Sequence, residues 1–341
     1  MAGGRTTNET ARVDASRPQS GTDARVTTRD VTVGLAARHV SPARAAVRAA
    51  LGTALSRGPG YEPTPPGQAF ADDRVCGYFL DFSAKTRARA SAEPERLRPA
   101  ALAQLALGWW ERLLTRDEQA SERFLAMCRL LRAQAEDHGE ELRWPYGIRV
   151  PKFGLEPPWY SAMAQGQIAS VFVRAYFLTD GAEYAELARR AAIPLTDRRS
   201  DLVSHDDGPA LEEAPSSPAS RILNGWIFAL WGLRDVHVGL GDARAGEMWT
   251  ESVGTLRRTL GRYDVGWWTR YSLYPLPLDD LAKPFYHALH VSQVEILHRL
   301  TGFPEFAEAA SRWAHYDHRA ARLRVLAQKA VVAGTRALGA P

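Results

Sequence analysis

The sequence has little cysteine, no long apolar run and no signal for a membrane segment. Its two cysteines, Cys76 and Cys128, exclude a disulfide framework and leave a single bridge open. Low cysteine usage is typical of a reducing compartment, so we expect a cytoplasmic protein. No apolar stretch reaches the roughly 18 residues of a membrane-spanning helix, and the polar N-terminus lacks the apolar region of a signal peptide. We therefore expect no membrane partner.

The sequence also lacks the spacings that hold nucleotides or metals. It contains no Gly-rich phosphate loop and no zinc-binding pattern, so no cofactor is expected. The net charge of +4 is uneven: residues 1–60 hold nine arginines and four acidic residues, which gives +5 there and −1 in the rest. Basic arms bind nucleic acid in some proteins but are more often solvated leaders. We therefore expect no nucleic-acid partner.

The composition divides the chain into three parts. Residues 1–60 are predicted to be a disordered basic arm, because the first 30 residues are polar and lack apolar periodicity. A short helix is predicted at 41–56, where Ser41 and Pro42 resemble a helix start. Residues 61–97 are predicted to be a linker followed by a β-strand or extended arm, since 75–82 is rich in aromatic and β-branched residues.

From residue 98 to 341 the pattern is helical. Apolar residues recur at helical spacing in nine segments. These are 99–114, 118–136, 160–178, 182–192, 218–236, 243–261, 285–301, 304–315 and 316–336. The first, third, fifth and seventh begin about 60 residues apart, which is the period of stacked helical hairpins. The fold class is therefore predicted to be mainly α with about four hairpins.

Polar blocks stand at the starts of three of these odd-numbered helices. Pro157-Pro158 precedes one, Ser217-Pro218 resembles the cap and first position of the next, and Pro284 precedes the last. If the odd helices form an inner ring, their N-termini converge on one face. Separate segments would then line one pocket. Helix N-termini carry free N–H groups and a positive dipole end, which suits a carboxylate ligand.

These blocks have a family resemblance. In order, they are Trp159–Gln167 with Val173–Tyr176, Glu212–Trp226, Tyr263–Tyr271 and Tyr286–Gln293. Together they resemble the C-terminal catalytic domain of the D-glucuronyl C5-epimerases. The resemblance implies an incomplete α/α toroid and an isomerase that converts D-glucuronyl to L-iduronyl residues in a heparan sulfate- or heparosan-like glycan. It implies an anionic uronate-containing glycan or uronoside as partner, leaves a homodimer open, and indicates that most of the family's β-domain is absent here.

The resemblance also assigns roles to residues. A C5 hydrogen is acidic because it lies α to a carboxylate, so one group must remove it and another must return a proton to the opposite face. Carboxyl and phenol groups do this when neighbours tune their pKa values. The predicted catalytic residues are Glu213, Tyr286 and Tyr263. The predicted substrate-binding residues are Tyr160, Gln165, Arg149, Asn224, Tyr271, Arg270, His287 and His290, with Lys152 as a further cation.

Two features keep other functions open. Ala214 stands where the family commonly has a tyrosine, and Gly266-Trp267-Trp268 replaces a Gly-Ser-Gly type turn. A non-catalytic glycan-binding protein and a uronate lyase, which shares C5 proton abstraction, are the alternatives. A glycoside hydrolase needs two paired carboxylates, and Glu213 is the only carboxylate in a suitable block. No metal site is predicted, because His287 and His290 share a helix face without a third ligand.

Overall fold

A computed structural model describes residues 93–114 and 119–337. The predicted arm 1–60 with its helix at 41–56, the extended segment at 75–82 and Cys76 all lie outside the described residues. The described helices are α1 (Pro99–Leu114), α2 (Ala120–Gln134), α3 (Ala162–Thr179), α4 (Ala182–Thr196), α5 (Leu223–Leu240), α6 (Ala243–Thr259), α7 (Pro284–Thr301), α8 (Pro304–Tyr316) and α9 (Arg319–Ala337). Strands β1 (Glu136–His138) and β2 (Glu141–Arg143) form one antiparallel hairpin, and β3 (Val203–Ser204) and β4 (Ala210–Leu211) form another.

The helices are arranged as hairpins in series. Within each hairpin the first helix packs against the second, as in α1 with α2, α3 with α4, α5 with α6 and α7 with α8. The first helices also pack against one another in the order α1, α3, α5, α7, and these form the inner layer. This arrangement is an incomplete α/α toroid, so the predicted fold class is confirmed.

The inner helices are apolar on nearly every side because other helices cover them. Almost every residue of α3 from Ala162 to Ala175 is buried, and α5 is buried from Leu223 to Leu233. The outer helices α6 and α8 are amphipathic, with a buried face and a solvated one. None of the described helices is both long and apolar enough to cross a bilayer.

The start of α5 differs from the prediction. The helix begins at Leu223, and its N-cap residue is Ile222, whereas the Ser217-Pro218 signal placed the start at 218. That prediction was wrong because Ser220 and Arg221 stay outside the helix to donate hydrogen bonds to the Glu212 carboxylate. By contrast, α3 starts directly after Ser161, whose hydroxyl accepts the Ala164 amide proton at 3.5 Å.

The hairpin after α2 was not predicted. The helix ends at Gln134, and β1 and β2 turn back through Gly139, whose φ of 80° lies in the left-handed region. The Gly139 amide donates to the Asp137 carboxylate at 3.1 Å, which holds the turn. Asp-His-Gly is a short-range turn signal, but it was missed because the helical periodicity of 118–136 runs up to it.

Helices α3 and α5 approach so closely that glycine is required at their crossing. A Cβ placed on Gly232 would lie 2.3 Å from the Gly166 Cα, and one placed on Gly166 would lie 2.7 Å from the Ala229 Cα. Both obstacles are backbone atoms of the facing helix, so no side-chain rotation relieves them. This contact sets the spacing of the two central inner helices, which carry the loops of the site described below.

We predict that Gly232→Ala lowers the free energy of unfolding by about 3 kcal/mol, because the added methyl group must push two helix backbones apart. The matched control is Gly254→Ala on α6, where the nearest atom to an added Cβ is the flexible Arg258 guanidinium at 3.4 Å. That variant should gain up to about 1 kcal/mol from helix propensity. Urea unfolding of both variants tests this, and equal stabilities would contradict the close crossing.

Candidate active site

Two adjacent carboxylates before α5 have opposite surroundings. Glu212 is buried and fully paired: its Oε1 accepts from the Ser204 hydroxyl at 2.6 Å, and its Oε2 accepts from the Ser220 hydroxyl and the Arg221 amide, both at 2.8 Å. Its backbone carbonyl accepts from the Ala162 amide at 2.9 Å, and its amide donates to the Leu202 carbonyl at 2.8 Å. Glu212 is therefore a structural residue.

Glu213 points the other way and lacks such partners. Its Oε2 is buried and has no hydrogen-bond partner among the described residues. The carboxyl group lies against the first turn of α5, where a Cβ on Gly225 would come within 2.1 Å of Oε2. Only glycine at position 225 leaves room for this carboxyl group.

Burial sets the protonation of Glu213. Removal from water raises the pKa of Glu213 from its ordinary value of 4.5 to about 7, and the charge of Glu212 adds to the rise. The Lys152 ammonium and a hydrogen bond from Tyr271 oppose it. A carboxyl group with a pKa near neutrality, in a buried site with one unused oxygen, is suited to proton transfer.

Two tyrosines face this carboxyl group. The phenol of Tyr271 hydrogen-bonds Glu213, and the Tyr286 ring packs edge-on against Tyr271 with ring centres 5.0 Å apart. Burial raises the pKa of both phenols, and the negative charge of Glu213 raises it further. Both therefore stay protonated at neutral pH. Tyr286 is partly exposed in the first turn of α7, and the Tyr271 carbonyl accepts from the Leu223 amide at 3.1 Å, at the start of α5.

A cation completes the cluster. The Lys152 ammonium lies 5.2 Å from the centre of the Tyr271 ring and 4.7 Å from that of Phe153. It forms an ion pair with Asp280, which also accepts from the Ser272 hydroxyl at 2.5 Å and lies 3.2 Å from the Lys329 ammonium. Burial acts to raise the pKa of Asp280, but the two lysines and Ser272 bring it below its ordinary value. Lys329 belongs to α9, so the last helix supports this part of the site.

The structure thus brings Glu213, Tyr271, Tyr286 and Lys152 together at the N-terminal ends of the inner helices. Asn224 is close by, since it precedes Gly225 in the first turn of α5. Its Oδ1 is buried without a partner within the described ranges, and its carbonyl accepts from Gln293 at 3.2 Å. The predicted convergence of helix starts is what the geometry shows.

Tyr263 does not join this cluster. It is fully buried, and its hydroxyl donates to the Arg221 carbonyl at 2.8 Å. Burial raises the pKa of Tyr263 far above its ordinary range, and the Glu212 charge adds to this. Its predicted catalytic role is therefore corrected: the phenol holds Arg221, whose φ of 47° is a left-handed conformation rarely adopted by a side-chain-bearing residue.

The two histidines also take structural places. Both are fully buried and share the Thr269 hydroxyl, at 2.9 Å from His287 Nδ1 and 3.2 Å from His290 Nδ1. His287 stacks on Trp268, and its Nε2 donates to the Trp313 carbonyl at 3.0 Å. Burial lowers the pKa of His287 to about 4 and lowers that of His290 well below its ordinary value. Because both rings are fully buried, the structure does not place them to contact a substrate, and their predicted binding roles are corrected.

Four other predicted binding residues have different places. Gln165 is buried, and its amide donates to the Leu142 and Ala191 carbonyls at 2.8 and 2.9 Å, which joins α3 to β2 and α4. Tyr160 donates to Glu136 at 2.7 Å beside the first hairpin. Arg149 is largely exposed and paired with Glu156, and Arg270 is paired with Asp279. These four correct the predicted binding set, because their contacts are with residues outside the Glu213 cluster.

Sequence reasoning missed Tyr146. Its phenol accepts from the Ala100 amide in the first turn of α1 at 3.3 Å, and its ring stacks on Trp159 with centres 4.4 Å apart. Burial raises the pKa of Tyr146 well above its ordinary range. The Trp144-Pro145-Tyr146-Gly147 loop was visible in the sequence, but nothing local ties it to Glu213.

Within the described part of the chain, no three His, Cys, Asp or Glu residues are grouped to hold a metal.

Comparison with known proteins gives a family match. Residues 137–315, which are more than half of the chain, match the family model described as D-glucuronyl C5-epimerase C-terminus. The chain is 29% identical to the D-glucuronyl C5-epimerase of Caenorhabditis elegans over 232 residues, which are 61% of this chain and 37% of that protein. An uncharacterized protein of Methanocaldococcus jannaschii is 24% identical over 177 residues, 50% of this chain and 56% of that one. The chain therefore spans less than two thirds of either relative.

Among solved structures, the unsaturated glucuronyl hydrolase of Bacillus sp. GL1 has a TM-score of 0.49 with 18% identity, over 72% of this chain and 67% of that chain. A protein from Listeria innocua has a TM-score of 0.45 with 12% identity, over 79% of this chain and 69% of that chain.

We predict that Glu213→Gln stabilises the fold above pH 7. The unfolded chain ionises this acid from about pH 4.5 upwards, whereas the folded protein keeps it protonated up to about pH 7, so the stability cost grows across this range, is complete above pH 7 and is absent below 4.5. Removing the acid should increase the free energy of unfolding by on the order of 2 kcal/mol at pH 8. Melting temperatures at pH 5 and pH 8 test this. The exposed control Glu140→Gln should show no such pH-dependent gain.

Proposed function

The chain belongs to the family of the D-glucuronyl C5-epimerase C-terminus, and from this premise we propose that it exchanges the C5 proton of a D-glucuronyl residue in a glycan. The proposed product is the L-iduronyl epimer. The observation that carries the proposal is the Glu213 carboxyl group, which has one unpartnered buried oxygen and a pKa of about 7 opposite two protonated phenols.

The first proposed step is proton removal. The Glu213 carboxylate takes the C5 proton and becomes a carboxylic acid, while the electron pair of the C–H bond delocalises into the uronate carboxyl group as an enolate-like dianion. Tyr271, which hydrogen-bonds Glu213, orients the base. A base with a pKa near the working pH is the most effective for such a transfer.

The dianion then needs positive charge. Lys152 supplies a cation whose charge lowers the pKa of Glu213. The first turns of α5 and α7 also place the positive ends of two helix dipoles at the cluster. Groups held in place before the reaction stabilise developing charge more effectively than water does. Asp280 pairs with Lys152, and the Ser272 hydroxyl donates to Asp280, so both charged groups are held in position.

The second proposed step returns a proton to the other face of the sugar. Tyr286 is partly exposed and has a protonated phenol, so it donates its hydrogen to C5 and becomes a phenolate. Exchange with solvent then resets both groups. Ala214 has no hydroxyl for this step, and its methyl group packs with Phe153 and Ile222 in a small apolar cluster.

We predict that Glu213→Gln and Tyr286→Phe each reduce C5 hydrogen exchange at least 100-fold, since each removes one proton-transfer group. The assay is NMR of heparosan and of short glucuronides in deuterated water. The matched controls are Glu140→Gln and Tyr176→Phe, which should exchange at the wild-type rate. Wild-type exchange in both site variants would overturn the assignment. A product that absorbs in the ultraviolet would show elimination, and hence a lyase.

We also predict that the wild-type exchange rate rises as the pH increases through about 7 and then levels off. The reactive form of Glu213 is the carboxylate, whose population grows through its pKa, whereas both phenols remain protonated in that range. Initial rates between pH 5 and pH 8.5, measured at saturating substrate, check the profile. A rate that falls between pH 6 and pH 8 would contradict Glu213 as the base.

A further inference from the structure

A cavity of about 310 Å³ lies where the chain enters α1. Arg96 and Arg98 line it from the segment before α1, Gln134 lines it from the end of α2, and Tyr146 lines it from the loop before α3. This volume lies at the lower end of the range for small-ligand pockets, so it has room for about one sugar unit.

The cavity is positively charged. Its lining includes two arginines and no acidic side chain among the described residues. Arg98 is exposed and has no ion-pair partner in the part of the chain that the structure describes, and Arg96 forms only an exposed pair with Glu93 at 3.1 Å. Exposed pairs of this kind contribute little, so both guanidinium groups remain available to a ligand. The first turn of α1 also has no acidic residue to neutralise its dipole.

Tyr146 connects the cavity to the proposed reaction site. Burial is the main cause of the raised pKa of Tyr146. The charge of Glu213 raises that pKa further, and the charge of Arg98 lowers it. Tyr146 therefore lies within electrostatic range of both groups. Its phenol accepts from the Ala100 amide and its ring stacks on Trp159, so this side of the cavity is held in place.

We propose that this cavity is a subsite for the carboxylate of the next uronate along the same glycan chain, with Arg98 as its main recognition residue. The proposal rests on the proposed function, because it requires a uronate beside Glu213. A planar guanidinium group binds a carboxylate through two parallel N–H bonds, and the positive end of α1 adds to that attraction. A single uronoside has no second carboxylate and cannot use the subsite.

The test compares two ligands with two arginine variants. Binding of a heparosan hexasaccharide and of methyl β-D-glucuronide is titrated in the Glu213→Gln background, where turnover cannot interfere. Arg98→Ala should raise the Kd for the hexasaccharide about tenfold and leave that for the monosaccharide unchanged. Arg98→Lys should recover part of the loss, and 0.5 M NaCl should shrink the difference. The matched control is Arg244→Ala, an exposed arginine on α6 that should have no effect.

The outcomes separate this proposal from the reaction itself. Equal weakening by Arg98→Ala and Arg244→Ala, equal weakening for both ligands, or no weakening would each overturn the subsite. If the wild-type protein shows no C5 exchange while Arg98→Ala still selectively weakens hexasaccharide binding, the subsite stands and the proposed reaction fails. If the wild-type protein exchanges the C5 hydrogen and Arg98→Ala leaves the hexasaccharide Kd unchanged, the reaction stands and the subsite fails.

Discussion

The site depends on one buried carboxylate that takes no part in the proposed chemistry. Glu212 accepts three hydrogen bonds at its side chain and one at its carbonyl, and its amide donates one more; together these join β3, the start of α3 and the loop before α5. A buried charge is tolerated only when it is paired in this way. Glu213 follows Glu212 directly in the chain, so fixing Glu212 also restricts where the Glu213 side chain can lie.

The same geometry explains why Glu213 is chemically different from its neighbour. Both carboxyl groups are removed from water, but only Glu212 has donors at each oxygen. Glu213 accepts a hydrogen bond from Tyr271 and is influenced by the charge of the Lys152 ammonium. Its Oε2 has no partner and lies against Gly225. The pKa of Glu213 is raised for that reason, and the fold bears an energetic cost that a merely stable protein would avoid. The close crossing of α3 and α5 keeps the two loops that deliver these groups at a constant separation.

Sequence reasoning succeeded where the signal was local and failed where it needed a partner from elsewhere. The start of α3 was predicted near 160, close to the observed Ala162, because Pro157-Pro158 excludes helix before it and the Ser161 cap reaches only to Ala164. Ser217-Pro218 also looked like a helix start, but Ser220 and Arg221 donate hydrogen bonds to Glu212, so α5 begins later, at Leu223. His287, His290 and Gln165 looked like binding residues because their chemistry is polar. Only packing shows that all three are buried and held by Thr269, Trp313 and two backbone carbonyls.

The sequence by itself determined the helices, their hairpin period and the family, because apolar periodicity and ordered blocks are written along the chain. It also singled out Glu213 and Tyr286 through the resemblance. The tertiary structure decided which polar residues remain unpaired: it buried Tyr263 in the core, brought Tyr271 and Lys152 to Glu213, and placed Tyr146 with Arg98 in the lining of one cavity. The physical reason is that burial and hydrogen-bond partners are set by contacts between segments distant in sequence, and these contacts set the pKa values on which proton transfer depends.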